Sequence, residues 1–467
     1  MATTKIFNQP VKLPFLLLLI VETCVLFSSI YVATFLRQYP DPLSLFSEFE
    51  HLWMNAGAIA VITPIAMLST GLYQGKAREG LAGILIRLAV SFVATATIIA
   101  VISFLLPDTL VGRGIFSIAF LLSFFIIGTL RAIFSELIDS EKFKKRVLIY
   151  GAGYTASHID KKLRRKVDRR GFEVVGYIPL EHQNILVDST KLINLECSLL
   201  EYCRQWDVDE IIIAISDTKQ GIPVTELVNC KLNGVDTIDI LSFFEREAGQ
   251  IRIDIIDPAW LVTSSGFKQS RFQDAVKRTF DIIASLVILL VASPFLILTI
   301  IAIWLEDGIT APVFYSQIRV GKQGKLFKVH KFRSMRTDAE KDGAKWAEKS
   351  DNRVTRVGSF IRLTRLDEFP QILNVLNGSM SFVGPRPERP EFIDNLADQI
   401  PYYHERHLVK PGVTGWAQLL YPYGSSVNDS YQKQLFDMYY VKNHNLLLDV
   451  LILLQTVEVV LFGKGAR

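Results

Sequence analysis

Cysteine is scarce: the 467-residue chain has four, Cys24, Cys197, Cys203 and Cys230, with no Cys-x-x-Cys spacing and no histidine at zinc-finger distance. A disulfide framework and a zinc ribbon are thereby excluded, and buried free thiols in a reducing compartment are the expectation. An excess of one charge is missing as well. The 51 Lys and Arg against 47 Asp and Glu leave a net of +4, too little to indicate nucleic acid as a partner. Polar residues are in short supply, with 21% charged, 50% hydrophobic and 30 Phe, and a mean hydropathy of +0.28. That balance excludes disorder and leaves too little polar surface for a fully soluble protein. No internal repeat or low-complexity tract occurs.

What is present is segregated. Four apolar stretches fill the first third, at about Leu13–Leu36, Leu52–Leu72, Leu88–Leu106 and Gly114–Leu130, each near the ~20 residues a bilayer requires. The first is too long for a signal peptide and lacks a small-residue cleavage site. Lys5 and Lys12 precede it, Lys76, Arg78 and Arg87 lie between the second and third stretches, and Arg131, Lys142, Lys144, Lys145 and Arg146 follow the fourth, whereas the other two connections carry Arg37 and Arg113. The positive-inside rule then puts the N-terminus and everything after Arg146 in the cytoplasm. These residues, 1–140, read as a four-helix transmembrane bundle.

Residues 146–262 read as a soluble Rossmann-like α/β domain. Strand-like runs at 146–150, 173–178, 210–215 and 235–241 alternate with helical segments, the pattern of a parallel, doubly wound sheet. Gly151-Ala152-Gly153-Tyr154-Thr155-Ala156 sits where a dinucleotide fingerprint would, between strand and helix. The acidic residue that should close the second strand is replaced by Pro179-Leu180, with Glu181 only roughly in place, so a ligand-free structural or regulatory domain is the stronger reading and nucleotide binding the weaker. The segment Thr263–Ser270 reads as a linker.

A fifth apolar stretch, Phe280–Leu305, has Lys277 and Arg278 before it and Arg319, Lys322, Lys325, Lys328, Lys331, Arg333 and Arg336 after it. Basic flanks on both sides belong on one side of the membrane. Ser293-Pro294 near its centre supplies a bend, so the stretch is expected to enter the membrane and return; an ordinary kinked span is the alternative.

The last part carries the chemistry-bearing residues. Thr364 to Gly378 predicts a helix that starts close to Asp367, because Pro370 is tolerated only in a first turn, and that stops at Asn377-Gly378. Asp367 and Glu368 then sit at a helix start, where the pair also fits a capping role with Thr364. Lys331, Arg333, Arg336 and Arg362 lie upstream. Arg386 stands on the proline-stiffened run Gly384-Pro385-Arg386-Pro387-Glu388, suited to a guanidinium that clamps a phosphate. Lys410-Pro411-Gly412-Val413-Thr414-Gly415 adds close-approach glycines and a cation. Carboxylates among cations beside a membrane suggest a divalent metal and a polyanionic substrate, and a basic face on anionic lipid is the alternative for the Lys and Arg alone.

The run from Lys277-Arg278 through Ser293-Pro294, Lys331-Phe332-Arg333-Ser334-Met335, Leu366-Asp367-Glu368-Phe369-Pro370-Gln371, Met380 to Pro387 and Lys410 to Gly415 resembles the bacterial sugar transferase family, the monotopic phosphoglycosyl transferases. The likeness covers about residues 271–467, and Gly384–Glu391 with the chain ending at 461–467 is most similar to the exopolysaccharide branch. The resemblance implies a mainly α-helical monotopic catalytic domain over 271–467 with a re-entrant helix at 280–305, on the cytoplasmic face of the bacterial inner membrane. It implies transfer of a sugar 1-phosphate from a UDP-sugar to undecaprenyl phosphate with release of UMP. In this reading Asp367 is the nucleophile, Glu368 holds Mg²⁺, Lys331, Arg333, Arg362 and Arg386 meet phosphate or pair structurally, and Lys410, Thr414 and Gln418 belong to a nucleotide-binding loop. Partners are the UDP-sugar, undecaprenyl phosphate and the bilayer, with room for a homodimer and none for nucleic acid. Asp449 reads as a cap with a family hint of a role near the site, and His404 and His407 as solvent or core residues. A membrane-anchored nucleotide-sensing scaffold is the rival reading, and an NAD-dependent oxidoreductase using Gly151 and Gly153 a third.

Overall fold

A computed structural model describes residues 3–6, 9–38, 52–73, 81–105, 113–139, 144–164, 168–169, 171–180, 183–215, 222–256, 260–261, 264, 266–267, 270–336, 353–422, 424 and 426–461. Lys76, Arg78, Lys142, Glu181 and much of the expected linker at 263–270 lie outside them. The chain divides into two compact units, Met1–Ala248 and Gly249–Arg467.

The first unit opens with an antiparallel hairpin, β1 (Thr3–Ile6) and β2 (Gln9–Lys12). Four apolar helices follow: α1 (Leu13–Gln38), α2 (Trp53–Ser69), α3 (Leu81–Leu105) and α4 (Arg113–Asp139). Leu26 and Ile30 of α1, Ala56 and Met67 of α2, Leu88 of α3 and Ile127 of α4 share one buried cluster, while Phe104, Leu121 and Phe125 are exposed. The expectation of four membrane-length helices here needs correction. α2 has only 17 residues, ~26 Å at ~1.5 Å per residue against a ~30 Å hydrocarbon core, and contains Pro64. Three of the four membrane-length helices among the described residues are α1, α3 and α4; the fourth, Arg271–Asp307, belongs to the second unit.

Charge is buried inside the helical part. The Arg131 guanidinium lies 2.7 and 2.8 Å from the two carboxylate oxygens of Glu22 and donates to the Leu72 carbonyl at 2.7 Å. The Tyr73 hydroxyl also donates to Glu22, and Arg131 stacks 4.7 Å over the Tyr73 ring. Arg87 donates to the Thr70 carbonyl at 2.8 Å. Charges in an apolar setting are tolerated only when paired in this way, and the pairing ties α1 to α4 and to the chain just after α2.

The α/β part is a four-stranded parallel sheet in the order β4-β3-β5-β6, with β3 Lys145–Tyr150, β4 Phe172–Ile178, β5 Glu210–Ile213 and β6 Asp236–Asp239. Helices α5 (Tyr154–Lys162), α6 (Leu199–Gln205), α7 (Val224–Leu232) and α8 (Ile240–Ala248) alternate with the strands. Val147, Leu148 and Ile149 are fully buried, as a central parallel strand covered on both faces requires. The cysteines are free, but Cys24 and Cys197 are exposed, and only Cys203 and Cys230 are buried as expected.

The second unit begins earlier than the sequence suggests. Ile251 and Ile253 join the C-terminal core, the Ile251 amide donates to the Leu435 carbonyl at 3.0 Å, and the Trp416 indole donates to the Gly249 carbonyl at 2.7 Å. Residues 249–262 were expected in the α/β domain; those described pack here instead because their apolar side chains find this core. Next comes α9 (Arg271–Asp307), 37 residues opened by a Ser270–Gln273 capping box. The hairpin β7 (Phe314–Val320) and β8 (Leu326–Phe332), α10 (Arg356–Leu363), α11 (Gln371–Asn377), β9 (Ser381–Val383), α12 (Pro390–Gln399), β10 (Gly412–Thr414), α13 (Trp416–Leu420), α14 (Val427–Asn443) and α15 (Leu446–Leu461) complete it. β9 and β10 pair in parallel. The core gathers Ile372, Val375, Met380, Phe382, Leu435, Met438, Tyr440, Leu448 and Ile452.

Helix α9 continues through Pro294. A proline there lacks the N–H that would reach the Leu290 carbonyl, and the Ser293 hydroxyl donates to that same carbonyl at 2.8 Å. The Ser-Pro pair thus removes one backbone bond and replaces it from the adjacent side chain.

Arg131→Met leaves Glu22 buried and without its cation, and is expected to cost about 3–5 kcal/mol. The measurement is the unfolding midpoint in detergent micelles; an unchanged midpoint would show that the pair does not hold the helices.

Candidate active site

Asp367 and Glu368 sit on a single 3-10 turn, Leu366–Glu368, that leads through Phe369 and Pro370 into α11. Arg365, just before the turn, takes a left-handed backbone conformation with φ 60°. That conformation, uncommon outside glycine, reverses the chain after α10. Leu366 then packs with Ile303, Phe332 and Ile361, and Phe369 packs on the main core. The carboxylates are held between these two apolar anchors, about 120° apart around the turn. α11 ends as expected, with Gly378 left-handed at φ 84°.

Two cations meet on one oxygen of Glu368: Lys331 Nζ at 2.9 Å and an Arg386 guanidinium nitrogen at 3.0 Å, both to Oε1. Burial by itself raises a carboxyl pKa, but Lys331 and Arg386, with Arg365 behind them, outweigh it and hold Glu368 well below the ordinary carboxylate range. Asp367, only 9% exposed, is shifted the other way. Burial and the neighbouring Glu368 charge push its carboxyl above the usual aspartate value, against the pull of Lys331, Arg362 and Arg365. Lys331 is positioned from behind by the buried Asn374 of α11, which accepts from the His330 amide at 3.1 Å and donates to the Lys328 carbonyl at 2.7 Å.

The other residues singled out from the sequence divide. Arg362 lies in the last turn of α10 and acts on Asp367 by its charge. Arg333 pairs with Asp307 at 2.6 Å instead of the carboxylate pair. Lys410 Nζ and the Arg278 guanidinium both approach Gly378, at the far end of α11 from Glu368, and burial with the charge of Arg278 depresses the Lys410 pKa. The Thr414 hydroxyl hydrogen-bonds that of Thr456 at 2.8 Å, and Gln418 Oε1 is buried without a hydrogen-bond partner among the described residues. The glycines beside them are required by backbone approach: a Cβ on Gly412 would lie 2.1 Å from the Gly384 nitrogen. Ser293 and Pro294 lie within α9, and His407, in the 3-10 segment Tyr403–Leu408, has its pKa lowered by burial to about 4.

Sequence reasoning did not find Arg365, whose charge bears on both carboxylates. Nor did it find the role of Asp449. Asn445 caps the last helix, its Oδ1 accepting from the Leu448 amide at 2.8 Å, and Asp449 instead pairs with Lys277 and accepts from the Tyr440 hydroxyl at 2.6 Å. An acidic residue within the apolar run Leu446–Leu454 was the available signal.

Among the described residues no group of three or more His, Cys, Asp and Glu side chains could cage a metal. Glu368 uses one oxygen for both cations and Asp367 stands beside it, a donor set that suits a hard cation completing its shell with substrate phosphates and water.

In the α/β part the glycine turn is filled from within the chain. A Cβ on Gly151, at φ 118°, would lie 2.4 Å from the Ala214 carbonyl oxygen, and one on Gly153 would lie 2.5 Å from Gln183 Nε2. Gln183 Oε1 accepts from the Ala152 amide at 2.9 Å, the donor a bound phosphate would use.

Residues 272–463 match the family described as bacterial sugar transferase, and residues 68–230 match one described as CoA-binding domain. The chain is 40% identical over 241 residues to a UDP-N-acetylgalactosamine-undecaprenyl-phosphate N-acetylgalactosaminephosphotransferase of Aeromonas hydrophila, covering 52% of this chain and 56% of that protein. It is 32% identical to an undecaprenyl-phosphate galactose phosphotransferase of Salmonella typhimurium, over 69% of this chain and 70% of that one. It is 41% identical to the exopolysaccharide production protein PSS of Rhizobium leguminosarum, over 41% of this chain and 98% of that one. The chain therefore belongs to the bacterial sugar transferase family, the phosphoglycosyl transferases, as a multi-pass protein of the inner membrane with its catalytic domain on the cytoplasmic side.

Proposed function

We propose that the protein transfers a sugar 1-phosphate from a UDP-sugar to undecaprenyl phosphate, releasing UMP, as the first membrane step of exopolysaccharide or O-antigen assembly. One observation carries the reading: a buried Asp367 next to a Glu368 whose charge is fixed by Lys331 and Arg386. An Asp367 oxygen attacks the β-phosphorus of the UDP-sugar; the bond to the UMP oxygen breaks and UMP leaves with its electron pair. An oxygen of undecaprenyl phosphate then attacks the aspartyl-phosphosugar and frees the Asp367 carboxylate. Two displacements replace one difficult transfer between polyanions. Lys331, Arg386 and the Arg362 and Arg365 charges lower the repulsion an anionic nucleophile meets at a diphosphate. Glu368 would hold Mg²⁺, which would supply neutralisation of diphosphate charge when bound.

Asp367→Asn is expected to abolish UMP release, and the unaltered enzyme given UDP-sugar without lipid acceptor should carry a phosphosugar on the peptide containing Asp367 by mass spectrometry. Normal turnover by that variant would remove Asp367 as nucleophile. Chelation by EDTA should stop UMP release and added Mg²⁺ restore it; full activity in EDTA would end the metal assignment. A screen of UDP-sugars in the same assay identifies the sugar.

A membrane helix that returned to its own side would suit this function, because nucleotide sugars are cytoplasmic. Arg278 of α9 donates to the Val375 and Leu376 carbonyls, and Asp307, at the other end, pairs with Arg333. A straight helix would separate these two residues by ~44 Å. The groups that hold them are linked through the Asn374–His330 hydrogen bond and only ~10 Å of chain from His330 to Arg333. A bend at Ser293-Pro294 would bring these two ends toward one another and keep both on one side of the membrane. Cysteines placed at Phe272 and Thr310 should both react with a membrane-impermeant maleimide from the cytoplasmic side; reaction from opposite sides would make α9 a spanning helix.

A further inference from the structure

Gly384 to Glu388 forms no regular element beyond β9, yet its backbone is held at every residue. The Gly384 amide donates to the Thr414 carbonyl at 3.0 Å, and the Pro385 carbonyl accepts from the Gly412 amide at 3.0 Å. The Pro387 carbonyl accepts from Arg319 at 3.1 Å, and the Glu388 carbonyl from the Val320 amide at 3.0 Å. The Arg386 carbonyl is held by a charged side chain, Arg406, at 3.1 Å.

Arg406 is 5% exposed, and the same guanidinium nitrogen donates to Asp437 at 2.8 Å, while its other terminal nitrogen donates to the Tyr403 hydroxyl at 2.6 Å. Asp437, on α14, is 2% exposed. Burying two charges is costly and gives little net stability when the pair could be replaced by apolar groups, so the pair calls for another reason to be there. Its geometry supplies one. A planar guanidinium directs two donors at fixed angles, so that Asp437 orients Arg406 and Arg406 fixes the peptide from which the Arg386 side chain reaches Glu368.

We propose that Arg406, oriented by Asp437, is a positioning residue: it holds the Arg386 backbone so that Arg386 meets Glu368, without itself touching substrate. The inference rests on the functional reading of Asp367, Glu368 and Arg386 given above. An Arg406 that acts through Arg386 has a measurable signature, because its removal matters only while Arg386 is present.

The test is a double-mutant cycle with Arg406→Gln and Arg386→Ala, read as kcat/KM for UMP release by the full-length protein in detergent. Hydrogen exchange of the peptide spanning residues 384–391 is measured alongside. Arg406→Gln is expected to lower kcat/KM about tenfold in the otherwise unaltered enzyme and less than about twofold in Arg386→Ala. Exchange in that peptide should quicken by about tenfold while that of α14 is unchanged. Asp437→Asn, which keeps size and an acceptor oxygen, should act in the same direction and replaces Arg406→Gln if that variant does not fold. Equal losses in both backgrounds, or unaltered exchange of residues 384–391, would overturn the proposal. If the unaltered protein releases no UMP from any UDP-sugar, the functional reading fails, and the exchange measurement still decides whether Arg406 holds the segment.

Discussion

Two cations on one carboxylate oxygen organise the second unit. Glu368 receives Lys331 from the β7–β8 hairpin and Arg386 from the segment after β9, so three stretches far apart in sequence converge within hydrogen-bonding distance. Such a convergence of charge would be unstable in water and is unfavourable in a dry interior unless each partner is held from behind. Asn374 restrains the strand that carries Lys331, the left-handed Arg365 sets the turn, and the proline-rich segment is bonded along its length. With the Glu368 charge fixed, the neighbouring Asp367 meets both burial and a like charge, which is why the two adjacent carboxylates differ so much in acidity.

Buried ion pairs recur as the fastening device wherever apolar helices must be held in one arrangement. Glu22 and Arg131 join the first and fourth helices, and Lys277 with Asp449 ties the start of the membrane helix to the last one. Apolar side chains in lipid have little reason to choose one neighbour over another, since the surroundings are as apolar as they are. A paired charge does choose, because the alternative is an unpaired charge in hydrocarbon.

Much of this was legible in the chain. The parallel sheet follows from strand-like runs alternating with helical ones, the end of α11 from Asn377-Gly378, and the carboxylate pair from its place just ahead of Pro370. Local rules suffice there because a cap, a proline or a hydrophobic run acts on its own neighbourhood. What was not legible shares one cause. The glycines after Lys410 offer close approach without naming what approaches, and the structure brings the backbone of Gly384 there; Asp449 looks like a cap, yet pairs with a lysine 172 residues away. In each case the partner is remote in sequence, and a residue type does not name its partner.

By itself the sequence determined the class of protein: apolar runs and flanking cations that require a membrane and orient the chain in it, an α/β sheet, and an ordered set of motifs that marks a sugar transferase. These are properties of composition, periodicity and residue order, and they survive without coordinates. Only the tertiary structure decided which cations reach Glu368 and which pair elsewhere. Arg333 and Lys331 are two residues apart, and one goes to Asp307 and the other to Glu368. Chain folding brings a carboxylate to each, and over a few ångströms the electrostatic energy of a charge depends on that nearest partner more than on anything written beside it in the sequence.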